Sequence, residues 1–594
     1  MKRKSTSFLF FIIFAFISSC RTETGVAQKP LQIHDLQGCS HVSPFLGKIV
    51  NKITGVVTYK ESNGFTMQSI EEDEFSCSSE AIFVFTEDFP EVMRGDMVEV
   101  SGLVQEFRAG DEDDYNLSKT EIIKPIFRII DNDRDLPETI ILDEQVDIIP
   151  REIVEDDAKS SFDHETDGLD YFEGLESMLV QINNGIVVAP KNEYDEIVIV
   201  PEKFHEFNLI SNAGAMLVTQ QDRNPDKFMV KLPVSFENNV YVGDKLTGDL
   251  IGIMDYSFGN YKIICINTPE FLPGKVNVPE IPKYTEGLTI ATYNLENLSP
   301  FDADLRFKDF AKQIVNNLNS PDILVLHEIM DSSGSEDDGT VEALITLQKL
   351  QKEIVENGGP HYQFSDSVPQ NNQDGGMQGA NIRSVLFYRE DKGISLAKTQ
   401  NEVVEGKFVG TRMSVHDNPI RIGEFEKVFI GTRKPALWLL DFEDLQFVII
   451  GFHLVSQNLN SPEWGEVQPM IKPESDKRIA QAAIIHDVAA EILTQHPHMP
   501  VFLAGDLNDL PWSESAIKMA GSEFVNAGEL DSPNEQFSYI FEGSAQQLDY
   551  IFINKNLVNN IEIAKFLHLN TILDHTEQIS DHDPFFLAFG LLPD

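Results

Sequence analysis

From about residue 287 to the C-terminus, uninterrupted apolar runs alternate with segments of helical periodicity, and this pattern limits the possible folds of the 594-residue chain more than any other feature. Apolar runs of this kind form strands that are buried on both faces, by helices or by a second sheet. The runs lie at 323–326, 447–450, 501–503 and 550–553, and the helical segments lie at 307–318, 341–356 and 475–495. The pattern predicts an α/β sandwich of about 300 residues.

Polar residues with catalytic or metal-binding chemistry stand at the ends of these runs. Neighbouring strands present their ends at the same edge of a sheet, so the residues at those ends can meet in space. A single one of them would often be only a turn former or a packed histidine. Their joint occurrence in one domain predicts a single site. The residues are Asn294, Glu296, Glu328, His453, Asp506, Asn508, Asp549, Asp581 and His582.

The acid–histidine pair Asp581-His582 is the last of these signals, and it follows Asp549 in the chain. A histidine beside a second acid is the arrangement that a metal-assisted hydrolase needs to generate and direct a hydroxide. The residues therefore predict a hydrolytic site.

The order of these signals resembles the endonuclease/exonuclease/phosphatase superfamily, whose fold is the deoxyribonuclease I-like four-layer α/β sandwich. The resemblance covers about 287–594. In that superfamily an Asn-x-acid motif, an acid after a buried strand, a His or Tyr, Gly-Asp-x-Asn, Asp-Tyr and Ser-Asp-His occur in this order. The corresponding residues here lie at 294–296, 328, 453, 505–508, 549–550 and 580–582.

The resemblance implies a divalent cation, Mg²⁺ or Mn²⁺, with Glu328 as its main ligand. Asn294, Glu296 and Asp581 are the further candidate ligands, since hard cations prefer oxygen. Two positions depart from the superfamily pattern. His327 stands where a Gln usually precedes the acid, and Glu296 stands where an Asp is common.

The catalytic set implied by the resemblance has five members. His582 is the general base or a donor to the transition state, and Asp549 holds its ring. Asp506 orients the attacking water, and Asn508 donates a hydrogen bond to a phosphate oxygen. His453 protonates the leaving oxygen.

Further segments at 374–376, 379–383 and 433–435, together with barrel-like sequence at 46–102, resemble bacterial extracellular nucleases that carry oligonucleotide/oligosaccharide-binding (OB-like) domains ahead of the catalytic domain. Within the second of these segments, Asn381 is a candidate substrate contact. Arg383 is a candidate phosphate clamp, because a guanidinium can bind two oxygens at once. The alternative for Arg383 is a surface ion pair.

Two all-β regions precede the sandwich. Short apolar alternations separated by Gly and Asn at 32–145 predict a small OB-like barrel, and similar sequence at 172–270 predicts a second, diverged one. Phe65 is either an exposed base-stacking residue of the first barrel or part of its core. The acidic run at 110–114 is either a Ca²⁺ loop or a solvated turn.

The N-terminus predicts export. Lys2, Arg3 and Lys4 precede a short apolar run that ends in Ser18-Ser19-Cys20, so residues 1–20 resemble a lipoprotein signal peptide. That resemblance implies lipidation of Cys20 and an anchor in the outer membrane or at the cell surface; the alternative is an ordinary secretory signal. Cys39 and Cys77 could pair in an oxidising compartment.

The formal net charge of −50 opposes a polyanionic partner, because nonspecific nucleic-acid binding depends on Lys and Arg that neutralise phosphates. Local neutralisation by divalent cations would remove this objection. We therefore expect a surface-anchored nuclease acting on DNA, and on RNA as a further substrate. The alternatives are a phosphodiesterase or phosphatase for small phosphoesters or phospholipid head groups, of the sphingomyelinase kind, and a non-catalytic surface-binding lipoprotein. Nothing in the sequence implies a protein partner.

Overall fold

A computed structural model describes residues 30–590 except 72, 74–75, 146, 275–278, 399–412 and 414. The predicted signal peptide and Cys20 lie outside the described residues. Among the helices of the described part, none combines the length and the apolarity needed to cross a bilayer.

The N-terminal region is a closed barrel of five strands in the order β1-β2-β3-β5-β4. It begins with a short helix, and β3 and β5 are its parallel pair. Phe65 is fully buried in the barrel and packs against Phe127, so it is a core residue. Cys39 and Cys77 form a disulfide with their Cα atoms 5.1 Å apart. The elements are α1 (Ile33–Gln37), β1 (Ile49–Lys60), β2 (Gly64–Gln68), β3 (Ala81–Phe85), β4 (Met97–Arg108) and β5 (Ser118–Asp131).

The second region is a single nine-stranded sheet in the order β14-β11-β8-β9-β10-β13-β12-β7-β6. Its helix α2 packs into the same hydrophobic core as the sheet. The elements are β6 (Ile140–Ile141), α2 (Gly168–Glu173), β7 (Leu179–Ile182), β8 (Gly185–Ala189), β9 (Glu196–Pro201), β10 (Phe228–Lys231), β11 (Lys245–Thr247), β12 (Leu250–Ser257), β13 (Asn260–Cys265) and β14 (Glu270–Leu272).

The prediction of a second closed barrel at 172–270 is wrong, although the region is rich in strands. The terminal strands β6 and β14 are not paired with each other. β14 is only three residues long and is flanked by Pro269 and Pro273. Proline has no N–H to donate, so the ladder that would close the sheet cannot continue past either end of this strand.

The C-terminal region is the predicted four-layer α/β sandwich. Its first sheet has six strands in the order β17-β18-β16-β15-β29-β28, and its second has seven strands, with β19-β21-β22-β23-β27-β24 in line and β20 beside β21. The first half contains β15 (Gly287–Leu298), α3 (Asp304–Lys312), β16 (Ile323–Ile329), α4 (Leu344–Glu356), β17 (Gln363–Asp366), β18 (Arg383–Tyr388), β19 (Ile394–Leu396) and β20 (Ile420–Arg421). The second half contains β21 (Ala436–Phe442), β22 (Leu445–His453), α5 (Ser475–Gln495), β23 (Val501–Asp506), α6 (Glu514–Ala520), β24 (Phe524–Asn526), β25 (Tyr539–Phe541), β26 (Ser544–Gln546), β27 (Asp549–Asn554), β28 (Ile561–Phe566) and β29 (Phe585–Gly590).

Three hydrophobic cores hold these layers together. The core between the two sheets contains residues of both, such as Val325 of β16 and Phe502 of β23. The second core joins the first sheet to α3 and α4, and the third joins the second sheet to α5 and α6. The strands are therefore apolar on both faces, which is why the sequence shows them as uninterrupted apolar runs.

The nine-stranded sheet packs directly on the sandwich. Its backbone at Met216 and Val218 hydrogen-bonds with Ala545 of β26, and Trp464 of the sandwich lies in the core of the nine-stranded sheet. This contact places one face of that sheet beside the carboxyl ends of the sandwich strands.

Candidate active site

Strand register brings the predicted residues of the second sheet together. β22 and β23 are parallel, with His453 opposite Asp506, and β23 and β27 are antiparallel, with Asp506 opposite Asp549. Asp506 therefore lies between the other two at the sheet edge. The close approach of β22 and β23 requires Gly505, because a Cβ at that position would collide with the carbonyl oxygen of Phe452.

Glu328 and Asn294 come from the first sheet and reach across to the second. The amide Nδ2 of Asn294 donates to Glu328 Oε1 at 3.2 Å and to Asp506 Oδ2 at 3.3 Å. The backbone N–H of Asn297 donates to Glu328 Oε2 at 2.9 Å. Asn294 thus fixes the distance between two carboxylates that would otherwise repel each other.

His582 and Asp549 form a tight pair. His582 Nδ1 lies 2.7 Å from Asp549 Oδ2, and His582 Nε2 lies 3.9 Å from Asp506 Oδ2. Burial alone would lower the pKa of His582, but the charges of Asp549, Asp581 and Asp506 raise it well above its ordinary value. These carboxylates therefore favour the protonated ring of His582, whose Nε2 faces the site.

His453 has the opposite electrostatic character. Its Nε2 lies 3.5 Å from Asp506 Oδ2 and 3.8 Å from Glu328 Oε1. Burial, aided by the charge of Arg433, lowers the pKa of His453 well below its ordinary value. The ring is therefore neutral in this state. His453 lies beside Asp506 and Glu328, as predicted. Of the two histidines, however, it is His582 whose protonated form the surroundings favour.

Glu296 and Asp581 lie at the outer side of the site. Burial raises the pKa of Glu296 to about 7, and the charge of Asp581 adds to the rise. Arg306 partly offsets this cluster, with Nη2 3.6 Å from Glu296 Oε2. The two carboxylates also line a cleft that extends to the nine-stranded sheet.

The backbone is strained where these side chains emerge. Glu296, Asn297, Glu328 and Asn508 all have positive φ, between 46° and 60°. Non-glycine residues rarely adopt this conformation, and it is found where surrounding structure forces it, often at functional sites. The backbone N–H of Asn508 donates to Asp506 Oδ1 at 2.8 Å, and its side chain donates to the Leu454 carbonyl at 3.2 Å.

His327, at the departure from the superfamily pattern, is a buried support. Its Nε2 lies 3.0 Å from Thr292 Oγ1 and its Nδ1 2.8 Å from Ser384 Oγ. Burial lowers its pKa to about 4, so the ring is neutral. It links three strands of the first sheet behind Glu328.

The predictions for Asn381 and Arg383 are wrong. Arg383 is 2% exposed, and its guanidinium donates to Asp366 Oδ2 and to the carbonyl of Asn381. The Asn381 amide donates to Asp331 Oδ2 and to the Thr340 carbonyl, both at 2.8 Å. The donors of both side chains are thus occupied by protein groups, on β17 and in the segment that follows β16, rather than free to bind a phosphate.

The site contains an arginine that was not predicted. Arg433 Nη2 donates to the Leu454 carbonyl at 2.6 Å, while its buried Nε has no acceptor among the described residues. Its charge acts on Glu328 and Asp506. The segment 433–435 carried the only signal in the sequence, as part of the resemblance to extracellular nucleases.

The donor set fits a hard divalent cation. Within the described part of the chain, Glu328 forms no ion pair with Lys or Arg, and its carboxylate accepts only uncharged N–H donors. Asp549 Oδ1 is buried without a donor among the same residues. A site with one or two free carboxylates and an amide oxygen nearby is typical for Mg²⁺, which keeps several of its waters.

The cleft beside the site has a volume of about 1100 Å³. One wall is formed by β9, β10 and β13 of the nine-stranded sheet, and the other by Tyr539, Phe541 and the outer carboxylates of the active site. The Tyr539 ring also contacts the His582 ring, with centroids 4.9 Å apart and the two planes tilted by 41°. Through Tyr539, the cleft therefore borders the residues that surround His582.

Two family models match the chain. Residues 291–582 match the Endonuclease/Exonuclease/phosphatase family, and residues 129–273 match a domain of unknown function (DUF8508). None of the curated proteins is a significant match.

Similar solved structures cover about half of the chain. Truncated TDP2 from Caenorhabditis elegans is 17% identical, and the match covers 51% of this chain and 98% of that chain with a TM-score of 0.34. The catalytic domain of human nocturnin is 17% identical over 52% and 96% of the two chains, with a TM-score of 0.33. An endonuclease/exonuclease/phosphatase family protein from Bacteroides thetaiotaomicron is 15% identical over 51% and 94%, with a TM-score of 0.32. On the evidence of the family model, the part of this chain from 291 to 582 belongs to the endonuclease/exonuclease/phosphatase family.

Proposed function

We propose that residues 291–582 hydrolyse phosphodiester bonds of nucleic acid and that the protein acts outside the cytoplasm. The family acts on phosphoesters, usually with a divalent metal. The observation that carries the proposal is the convergence of the His582–Asp549 pair, Asp506 and the Asn294–Glu328 pair at one sheet edge. Such a set can position a water, a phosphate and a cation together.

Each residue has a task that follows from its surroundings. A Mg²⁺ or Mn²⁺ ion held by Glu328, with Asn294, Glu296 and Asp581 near it, would offset the charge that develops on the phosphate oxygens. Asp549 keeps the Nδ1 proton of His582 in place.

Two further side chains, those of His582 and Asp506, face the same space and act on the phosphate and on the water. The Nε2–H of His582 donates a hydrogen bond to a phosphate oxygen. Asp506 accepts a hydrogen bond from the attacking water. Burial raises the pKa of Asp506 to about 7, so its carboxylate can act as the base towards that water.

The cleft supports a substrate larger than one small phosphoester. Its 1100 Å³ exceeds the ~300–1,000 Å³ of pockets that hold drug-sized ligands. Its rim carries exposed aromatic rings, with Tyr194 63%, Phe258 73% and Phe541 51% exposed. Aromatic side chains of this kind stack on the bases of single-stranded nucleic acid.

The charge of the cleft favours a single strand over a duplex. Its lining contains three lysines and five acids: Lys191, Lys231, Lys262, Glu193, Glu196, Glu296, Glu542 and Asp581. Phosphate neutralisation along a duplex would need more basic groups. The contribution of base stacking is less dependent on charge, so unpaired strands suit this surface better.

A small phosphoester or a phospholipid head group is the second candidate substrate. The acidic lining and the net charge of −50 favour it, because such substrates bring one phosphate only. It leaves the exposed aromatic rings of the cleft without a role.

The decisive experiment compares substrates with and without chelator. The purified protein should cleave single-stranded DNA or RNA in Mg²⁺ or Mn²⁺ and lose that activity in EDTA. The variants Glu328→Gln and His582→Ala should lose activity by about 10²–10⁴-fold, while Glu336→Gln and His361→Ala at exposed positions should not. Cleavage of sphingomyelin but of no nucleic acid would establish the second candidate instead.

Export and lipidation at Cys20 are part of the proposal. The Cys39–Cys77 disulfide supports an oxidising compartment. Cells fed a labelled fatty acid should label the parent protein and not Cys20→Ser, and the variant should leave the membrane fraction. Equal membrane association of the two proteins would contradict the anchor.

A further inference from the structure

Three carboxylates meet where the barrel, the nine-stranded sheet and the sandwich join. One oxygen from each of Glu155, Asp167 and Asp170 lies within 4.8 Å of the others. Asp167 is 2% exposed and Asp170 is fully buried. We call these three residues the junction cluster. It is built by elements other than those that form the active site.

The loop backbone holds these carboxylates in place. The N–H groups of Asp157 and Lys159 both donate to Glu155 Oε1, at 2.8 and 3.1 Å. Asp170 Oδ1 lies 2.6 Å from His41 Nε2, and its Oδ2 accepts from the backbone of Asp163.

Two carboxylate oxygens of the cluster lack a hydrogen-bond donor among the described residues. They are Glu155 Oε2 and Asp167 Oδ1, and both are buried. Asp167 occupies the N-cap position of α2, yet its side chain makes no capping hydrogen bond. A carboxylate at an N-cap ordinarily accepts from the helix backbone. Here it faces the other two acids instead.

The charge of the cluster is balanced only in part, by His41: burial opposes the charge on its ring, but Asp170 and Glu173 raise its pKa to about 9. His41 is its one ion-pair partner, and no Lys or Arg in the described ranges pairs with any of the three acids. Burial raises the pKa of Asp167 to about 6, and the charges of Glu155 and Asp156 add to the rise. Unpaired buried carboxylates of this kind cost free energy unless a cation binds them.

We propose that the junction cluster binds Ca²⁺. Three carboxylates on an irregular loop match the preference of Ca²⁺ for six to eight oxygens in flexible geometry, whereas Mg²⁺ demands a near-ideal octahedron. The ion would bind Glu155 Oε2 and Asp167 Oδ1, the two oxygens that lack donors, together with Asp170.

The position of the cluster indicates what the ion does. The backbone of Gly168 and Leu169 hydrogen-bonds with Ile153 and Val154, so the loop and the start of α2 form one unit. Phe172 of α2 packs against Trp464 of the sandwich, with ring centroids 5.4 Å apart. A bound ion would fasten the loop to α2 and stabilise the junction of all three regions.

The test uses the full chain in the Glu328→Gln background, which weakens cation binding at the active site. After removal of metals with EDTA, Ca²⁺ should raise the unfolding temperature with half-saturation at about 0.1–1 mM, the range of extracellular sites. Equimolar Mg²⁺ should produce a smaller shift. A calcium-independent unfolding temperature would overturn the proposal.

Substitutions locate the site. Asp167→Asn should abolish the calcium-dependent shift, and without Ca²⁺ it should be at least as stable as the parent because it removes an unpaired buried charge. Glu155→Gln should weaken the shift and serves if Asp167→Asn does not fold. Asp88→Asn, at an exposed acid of the barrel, is the control and should keep the full shift. An undiminished shift in both cluster variants would contradict the assignment.

Terbium luminescence provides a direct reading, because Tb³⁺ replaces Ca²⁺ and is sensitised by a nearby tryptophan. A Cβ on Gly168, next to Asp167, would lie 3.2 Å from the Trp464 ring. We expect Tb³⁺ luminescence that decreases when added Ca²⁺ displaces the bound Tb³⁺. Both Asp167→Asn and Trp464→Phe should lack this luminescence. Luminescence retained in Trp464→Phe would place the ion elsewhere.

Discussion

At the scale of single residues, the chemistry depends on how Asp549 sets the charge of His582. Their atoms are 2.7 Å apart, and Asp549 is fully buried. Burial alone would lower the pKa of His582, and the neighbouring carboxylates reverse that effect and favour the protonated ring. Asp506 and Asp581 share that task, but only Asp549 also bonds to the ring.

Replacing Asp549 by Asn removes the negative charge beside His582 but keeps nearly the same side-chain shape. We expect Asp549→Asn to lower the pKa of His582 and to reduce kcat/KM by about 10²–10⁴-fold. NMR titration of the histidine rings in cation-free protein measures the first effect. An unchanged pKa of His582 would show that Asp549 does not set its charge.

At the scale of elements, the segment between β28 and β29 holds His582 in position. Asp583 accepts the backbone N–H groups of Leu569 and Asn570, at 2.8 and 2.7 Å. His568 completes this anchor, with Nδ1 3.2 Å from Asp583 Oδ2 and Nε2 3.4 Å from Glu535 Oε2. Burial opposes the charge on His568, but the two acids raise its pKa above the ordinary value.

This shift predicts a stability that depends on pH. Because the folded-state pKa of His568 exceeds the unfolded value of about 6.5, its contribution is complete below that pH and is lost as the pH rises through the folded-state pKa. His568→Gln should lower the free energy of unfolding by about 1–3 kcal/mol at about pH 6, and by less at about pH 9. Urea denaturation measures both values, and the control His498→Gln, at an exposed position, should leave the free energy of unfolding unchanged. A difference that grows with pH would contradict the charge assignment.

The same scale shows what the sequence could predict. The apolar runs predicted the sandwich, and helix α5 has the predicted bounds, 475–495. Strand ends predicted nearly all of the site, because a buried strand that ends in an acid leaves a clear local pattern. Arg383 was misplaced because its partner Asp366 lies on the neighbouring strand β17, and the pairing of β17 with β18 is not visible in the periodicity of the sequence.

Local sequence patterns could not predict whether a sheet closes or which residues line a cleft. The nine-stranded sheet depends on a parallel pairing of β10 with β13 and on short edge strands, all fixed by long-range packing. The lowered pKa of His453 likewise depends on burial, aided by the charge of Arg433, and burial is set by tertiary packing.

At the scale of the whole molecule, the three regions form one unit in which the nine-stranded sheet completes the cleft. Removing residues 32–270 would expose the core around Trp464 and would confuse a loss of binding with a loss of folding. Exposed side chains at the cleft rim offer a cleaner test. Phe258 and Tyr194 line the cleft from turns of the nine-stranded sheet, whereas His582 belongs to the sandwich.

We expect the double variant Tyr194→Ala/Phe258→Ala to raise KM for a single-stranded oligonucleotide, because stacking contributes about 1–3 kcal/mol per base. The kcat for a small chromogenic diester should not change, since that substrate occupies only the catalytic end of the cleft. Phe425→Ala is the matched control, because Phe425 is 94% exposed and lies outside the cleft lining. Steady-state kinetics on both substrates distinguish the possibilities: equal losses on both would mean that the aromatic rim supports the fold, and no loss on either would mean that the polymer takes another path.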